Sequence, residues 1–171
     1  MKVERRAVQS DVSVDDDGLV VEGYAAVYDR PTVIGDFEEV IAPGAFGGAD
    51  FRDAVFLVDH GGLPLATARA WTLDLNPDAT GLRVVARLAP VTAARDLVTL
   101  IKRGDITGMS FAFSDVTDEW VGRRRVIRKI GKVWDVSAVT WPAYRETVIV
   151  ARSLAMSYNS LRKSQTRIKL I

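Results

Sequence analysis

Arg103-Gly104-Asp105-Ile106-Thr107-Gly108-Met109-Ser110-Phe111-Ala112-Phe113 is where one periodicity gives way to another. Upstream, Leu97, Leu100 and Ile101 recur at i, i+3 and i+4, the spacing of one apolar helix face. Thr92 stands where an N-cap is expected, and Lys102 and Arg103 put cations at the negative end of the helix dipole before Gly104. Past Gly108 the period drops to two. Met109, Phe111 and Phe113 share one strand face and Ser110, Ala112 and Ser114 the other, so large groups bury and the serine is left open among small neighbours. Such a position suits a nucleophile, and it equally suits a strand serine hydrogen-bonded to backbone.

Strand signals recur on both sides of this switch. Residues 1–17 begin as a strand and end in the turn signal Asp15-Asp16-Asp17-Gly18. Residues 19–28 follow, with Gly23 in mid-run where a bulge or close backbone approach is common. Residues 31–37 read as loop, 38–41 as a short strand stopped by Pro43, and 55–60 as a β-branched and aromatic run stopped by Gly61-Gly62. Residues 70–76 and 82–88 alternate about a turn at 77–81, a hairpin. After the serine strand come an arginine-rich hairpin around Gly122-Arg123-Arg124-Arg125 and a strand over 132–140. The pattern predicts a β-dominated α+β domain, a closed or partly open antiparallel β-barrel of about seven strands flanked by helices, with one clear helix and a weaker one at 150–158.

The 171 residues fit one domain with a substantial core. With 48% hydrophobic and 26% charged residues the composition is that of a soluble globular protein. No apolar run approaches the roughly 20 residues that span a bilayer, and the charged opening does not resemble a signal peptide. The absence of cysteine removes disulfides, thiolate catalysis and cysteine-based zinc sites, and a solitary histidine argues against a transition-metal centre. Five of the 23 basic residues lie in residues 152–171, which hold no acid, so residues 1–151 carry 18 basic against 22 acidic groups. The chain therefore divides into a mildly acidic body, 1–151, and a basic tail, 152–171, whose five charges have a single aromatic, Tyr158, among them and so point weakly to nucleic acid.

A serine hydroxyl needs a general base to act as nucleophile, and His60 is the one histidine that can supply it. The base needs a group to hold its ring. Asp59 is adjacent, but neighbouring strand residues face opposite ways, so Asp135, set between Trp134 and Val136 in an apolar strand, is the better candidate. A structural histidine, and an Asp135 facing solvent or paired with an arginine, fit the same residues. The glycines at 44, 47 and 48 are too irregular for a nucleotide-binding fingerprint, and the pattern calls for no cofactor.

At these residues the chain resembles the HK97-type phage prohead proteases, serine peptidases that mature viral capsids. The resemblance runs from about Gly23 to Thr147. It rests on Gly23-Tyr24-Ala25 with Val27-Tyr28, on Val40-Ile41-Ala42-Pro43-Gly44-Ala45-Phe46, and on Val58-Asp59-His60. It continues through Ala94-Arg95-Asp96-Leu97, the 101–113 stretch and Asp135-Val136-Ser137-Ala138-Val139-Thr140-Trp141-Pro142-Ala143-Tyr144. It implies a fold similar to the herpesvirus maturation proteases, with Ser110 as nucleophile, His60 as base and Asp135 as the group that orients His60. Two departures stand out: aspartate at 135 where such sequences usually carry glutamate, and Asp59-His60-Gly61 where Asn-His-Asp is common.

The resemblance also implies the setting: cleavage of the scaffold protein, or of the scaffold segment of the major capsid protein, inside the assembling prohead in the bacterial host cytoplasm. Self-cleavage and a homo-oligomeric enzyme are further expectations, and the 152–171 tail reads as a segment the enzyme removes from itself, as a scaffold-binding segment, or equally as an ordinary solvated tail. The runner-up is a catalytically silent, scaffold-like assembly protein that keeps the fold; its sequence sign would be loss of Ser110, His60 or Asp135, and all three are present. A nucleic-acid binder using the tail and Arg123 to Arg128 ranks below both.

Overall fold

The structure is a computed structural model and describes residues 2–9, 13, 14 and 19–140. Within them the chain forms β1 (Glu4–Gln9), β2 (Ser13–Val14), β3 (Val20–Val27), β4 (Thr32–Ile34), β5 (Phe37–Ile41), β6 (Val55–Val58), β7 (Gly61–Thr67), β8 (Leu73–Pro77), β9 (Gly81–Arg87), α1 (Thr92–Arg103), β10 (Gly108–Val121) and β11 (Arg124–Val139). The expected weaker helix at 150–158 and the 152–171 tail lie outside the described residues.

The spine is the β10–β11 hairpin, turned at Gly122, whose φ of 59° is the left-handed conformation glycine takes without a side-chain clash. β11 is 16 residues long and pairs antiparallel with β10, then in parallel with β5 at its start and with β6 at its end. β1 runs antiparallel along the other side of β10 and is an edge of this seven-stranded sheet; β4 and β7 complete it. A second sheet runs β2-β3-β9-β8. Gly81 opens β9 where the strand presses on β3, and a Cβ there would come within 2.0 Å of the Ala26 carbonyl oxygen.

Neither sheet closes, so the expected barrel of about seven strands is replaced by two open sheets sharing one core. The reason lies in β11, whose two ends are taken by different parallel strands, so that the large sheet branches instead of wrapping round. Phe111 and Phe113 stack with centroids 4.9 Å apart, Phe46 meets Phe111 edge-on, and Val21, Leu82 and Val84 of the small sheet belong to the same cluster. Helix α1 buries Ala94, Leu97, Val98 and Ile101.

Helix and strand limits differ in detail from the sequence reading. Thr92 is the first helical residue, and Val91 occupies the N-cap without a side-chain cap, whereas Gly104 closes the helix at φ 86° as expected. Residues 31–37 are not a plain loop but hold β4 and the start of β5. The bulge in β3 falls between Tyr24 and Ala26, two residues past Gly23. Gly61-Gly62 does not stop the chain: it starts β7, an outer strand where Pro64 deprives no neighbour of a donor.

Candidate active site

A one-residue irregularity in the spine builds the site. Ser114 lies opposite Lys132 and Phe113 opposite Val133, yet Ala112 lies opposite Asp135, so Trp134 is the extra residue of a bulge in β11. Without it, alternation would turn Asp135 to the phenylalanine face. With it, Asp135 and Ser137 share the face of Ser110, and Ser137 lies directly across from Ser110. Trp134 Nε1–H donates to Ser114 Oγ at 3.0 Å, fixing the bulge from the same side.

His60 arrives from a tight turn. Val58 pairs with Gly61, leaving Asp59 and His60 as a two-residue loop between β6 and β7, and both have positive φ, 47° and 57°. Primed hairpin turns require this, at a cost on the order of 1 kcal/mol for each residue that has a Cβ. Asp59 N–H donates to the Ala138 carbonyl and its side chain faces solvent; it is absent from the site because it is a turn residue, not because it sits on the wrong strand face. His60 N–H donates to Ser137 Oγ at 3.2 Å, and the parallel pairing of β6 with residues 135–138 brings the turn over the serine face.

The three sequence candidates meet. His60 Nε2 lies 2.6 Å from Ser110 Oγ, and His60 Nδ1 lies 2.6 Å from Asp135 Oδ1. Ser137 O–H donates to that same Oδ1 at 3.0 Å, and its oxygen is 3.3 Å from His60 Nδ1. Asp135 and Ser137 are buried, and the His60 side chain is 17% exposed. A buried carboxylate needs donors, and the imidazole and the Ser137 hydroxyl supply them.

Ser110 is 3% exposed, so the open face expected from its small neighbours is not open. β1 pairs beside it, Ala7 opposite Ser110, and Ser110 Oγ is 2.8 Å from the Arg6 carbonyl oxygen. Both readings of the serine thus have a partner in place: it has an imidazole nitrogen and a backbone acceptor within reach, but a single proton to give. With neutral imidazole protonated on Nδ1, Ser110 donates to Nε2. With imidazolium, Nε2–H donates to Ser110 Oγ and the serine proton turns to the Arg6 carbonyl. Only the first arrangement leaves His60 able to accept the proton.

Charge ties β1 to the sheet beside the serine strand. Arg6 pairs with Glu39 and Glu4, while Arg125 pairs with Glu4, Glu39 and Asp118; Arg125 and Glu39 are buried. The Arg125 hydrogen bond to Glu4 holds the Glu4 carboxyl below its ordinary value and raises the Arg125 guanidinium above its own. This buried network was not foreseen, because Glu4, Glu39 and Arg125 are far apart in sequence and each reads as an ordinary surface charge. Ser137 was missed too, although its two-residue spacing from Asp135 placed both on one face.

No group of three or more His, Cys, Asp or Glu among the described residues is arranged to hold a metal ion. The set of groups is a hydroxyl, an imidazole and a carboxylate in hydrogen-bonded series on a β scaffold, which is the equipment of nucleophilic acyl transfer. The family model for the caudovirus prohead serine proteases matches residues 3–160, and the chain belongs to that family, one of serine peptidases acting in capsid maturation. Comparison with curated proteins finds no match, and comparison with solved structures finds none.

Proposed function

We propose that the protein is a serine endopeptidase that cleaves the scaffold protein, or the scaffold segment of the major capsid protein, within the prohead. The observation that carries this reading is the unbroken series Ser110–His60–Asp135, with both contacts at 2.6 Å, in a member of a prohead protease family. His60 takes the Ser110 proton through Nε2 as Oγ attacks the peptide carbonyl, and Asp135 holds the Nδ1–H and offsets the imidazolium charge. His60 then returns the proton to the leaving amine, and water repeats the sequence on the acyl-enzyme. The step also calls for backbone N–H donors to the oxyanion, each worth about 3 kcal/mol of barrier; those of Gly104, Asp105, Ile106 and Val133 are already given to carbonyls of Ile101, Leu100 and Asp50.

Self-cleavage in the 152–171 tail and a homo-oligomeric working form belong to the same proposal, as does action inside the assembling particle. No helix among the described residues is long and apolar enough to cross a membrane. The nucleic-acid alternative loses its footing at the hairpin, where Arg123, Arg124, Arg125 and Arg128 are each matched by an acid: Asp36, Glu38, Glu4 and Glu119 respectively. The test is co-expression with the capsid and scaffold precursors. Wild-type protein is expected to cut the precursor and Ser110→Ala to leave it whole; cutting by Ser110→Ala at the normal rate overturns the reading.

A further inference from the structure

The geometry points to Ser137 as a fourth member of the site, a positioning residue that sets both ends of the His60–Asp135 contact. This rests on the catalytic reading of Ser110, His60 and Asp135. One oxygen, Ser137 Oγ, touches every part of that contact: it accepts the His60 backbone N–H at 3.2 Å, donates to Asp135 Oδ1 at 3.0 Å and lies 3.3 Å from His60 Nδ1. Its own place is fixed by the sheet, since its backbone sits between Ser110 of β10 and Leu57 of β6. It is 0% exposed, so bulk water does not take over its bonds.

Two consequences follow from the atoms involved. The hydroxyl has one proton, and giving it to Oδ1 leaves its lone pairs free to receive the His60 amide, so both hydrogen bonds are made together. The amide bond pins a residue whose φ of 57° is otherwise disfavoured, and the bond to Oδ1 holds the carboxylate oxygen that the imidazole Nδ1–H must find. Without Ser137 the ring and the carboxylate each gain freedom. The Nδ1–H tautomer, which leaves Nε2 free to act as base, is then less firmly selected.

His60 is the only histidine, so its ring signals are identified without assignment. In full-length Ser137→Ala, nitrogen and proton NMR should show the hydrogen-bonded Nδ1–H signal moved upfield or lost, and a changed tautomer ratio. Precursor cleavage should lose about 10- to 100-fold in kcat, with KM within about twofold. A merely structural role would lower the melting temperature and leave the ring signals and kcat of the folded protein alone, and that result overturns the proposal. If the alanine variant does not fold, Ser137→Cys keeps the shape with a weaker donor; it should shift the same signals by less, and wild-type signals with wild-type kcat in it also overturn the proposal. Ser110→Ala keeps the two outcomes apart: if it still cleaves, the catalytic reading fails, whereas an inactive Ser110→Ala beside an unaltered Ser137→Ala removes only the role of Ser137.

Discussion

Ser110 holds one proton within reach of two acceptors, His60 Nε2 at 2.6 Å and the Arg6 carbonyl at 2.8 Å, and which of them receives it depends on the charge of His60. Asp135→Asn keeps the shape but removes the charge and lets the ring settle in the wrong tautomer. A loss in kcat of about 10⁴ is expected, with an unchanged melting temperature.

At the scale of elements, β1 is the strand most open to perturbation, an edge whose hold on the sheet combines ladder bonds with the Glu4–Arg125 and Arg6–Glu39 pairs. Because Arg125 holds the Glu4 carboxyl below its ordinary 4.5, the unfolded chain binds the proton more readily than the folded one. The stabilisation is thus complete above about pH 4.5 and is lost as pH falls through the folded value. Hydrogen exchange should show β1 amides losing protection in acid before those at the centre of β11. Arg125→Met leaves buried acids with fewer partners and should cost about 3 kcal/mol in denaturant melts. In the core, Phe111→Ala opens a cavity between stacked rings and should cost about 3–5 kcal/mol; a loss under 1 kcal/mol would contradict the packing described.

For the molecule as a whole, periodicity made the helix, the serine strand and the hairpins legible, since each is a local pattern of burial. The meeting of Ser110, His60 and Asp135 was legible in part, because the chain offers one histidine, a serine among small strand neighbours and a carboxylate between Trp134 and Val136. What stayed hidden depends on pairing over distance. Barrel or open sheets turns on which strands flank β11, and the sequence around β11 says nothing of β5 or β6. The pairing of β1 beside Ser110 joins residues about a hundred positions apart, and β7 was obscured by glycines and a proline that an edge strand tolerates. At this scale the tail carries its own prediction: mass spectrometry should find residues 152–171 shortened in wild-type protein and intact in Ser110→Ala, and intact tails in both would remove self-trimming.

The central claim is that Ser110 is the nucleophile and His60 its base. Fluorophosphonate labelling of the full-length protein, co-expressed with its capsid precursor so that assembly is allowed, tests this when the adduct is located by mass spectrometry. The account predicts one adduct, on Ser110, absent from Ser110→Ala and slowed by about 10³-fold or more in His60→Ala. An adduct on another residue, or labelling of Ser110 at the wild-type rate without His60, would contradict it.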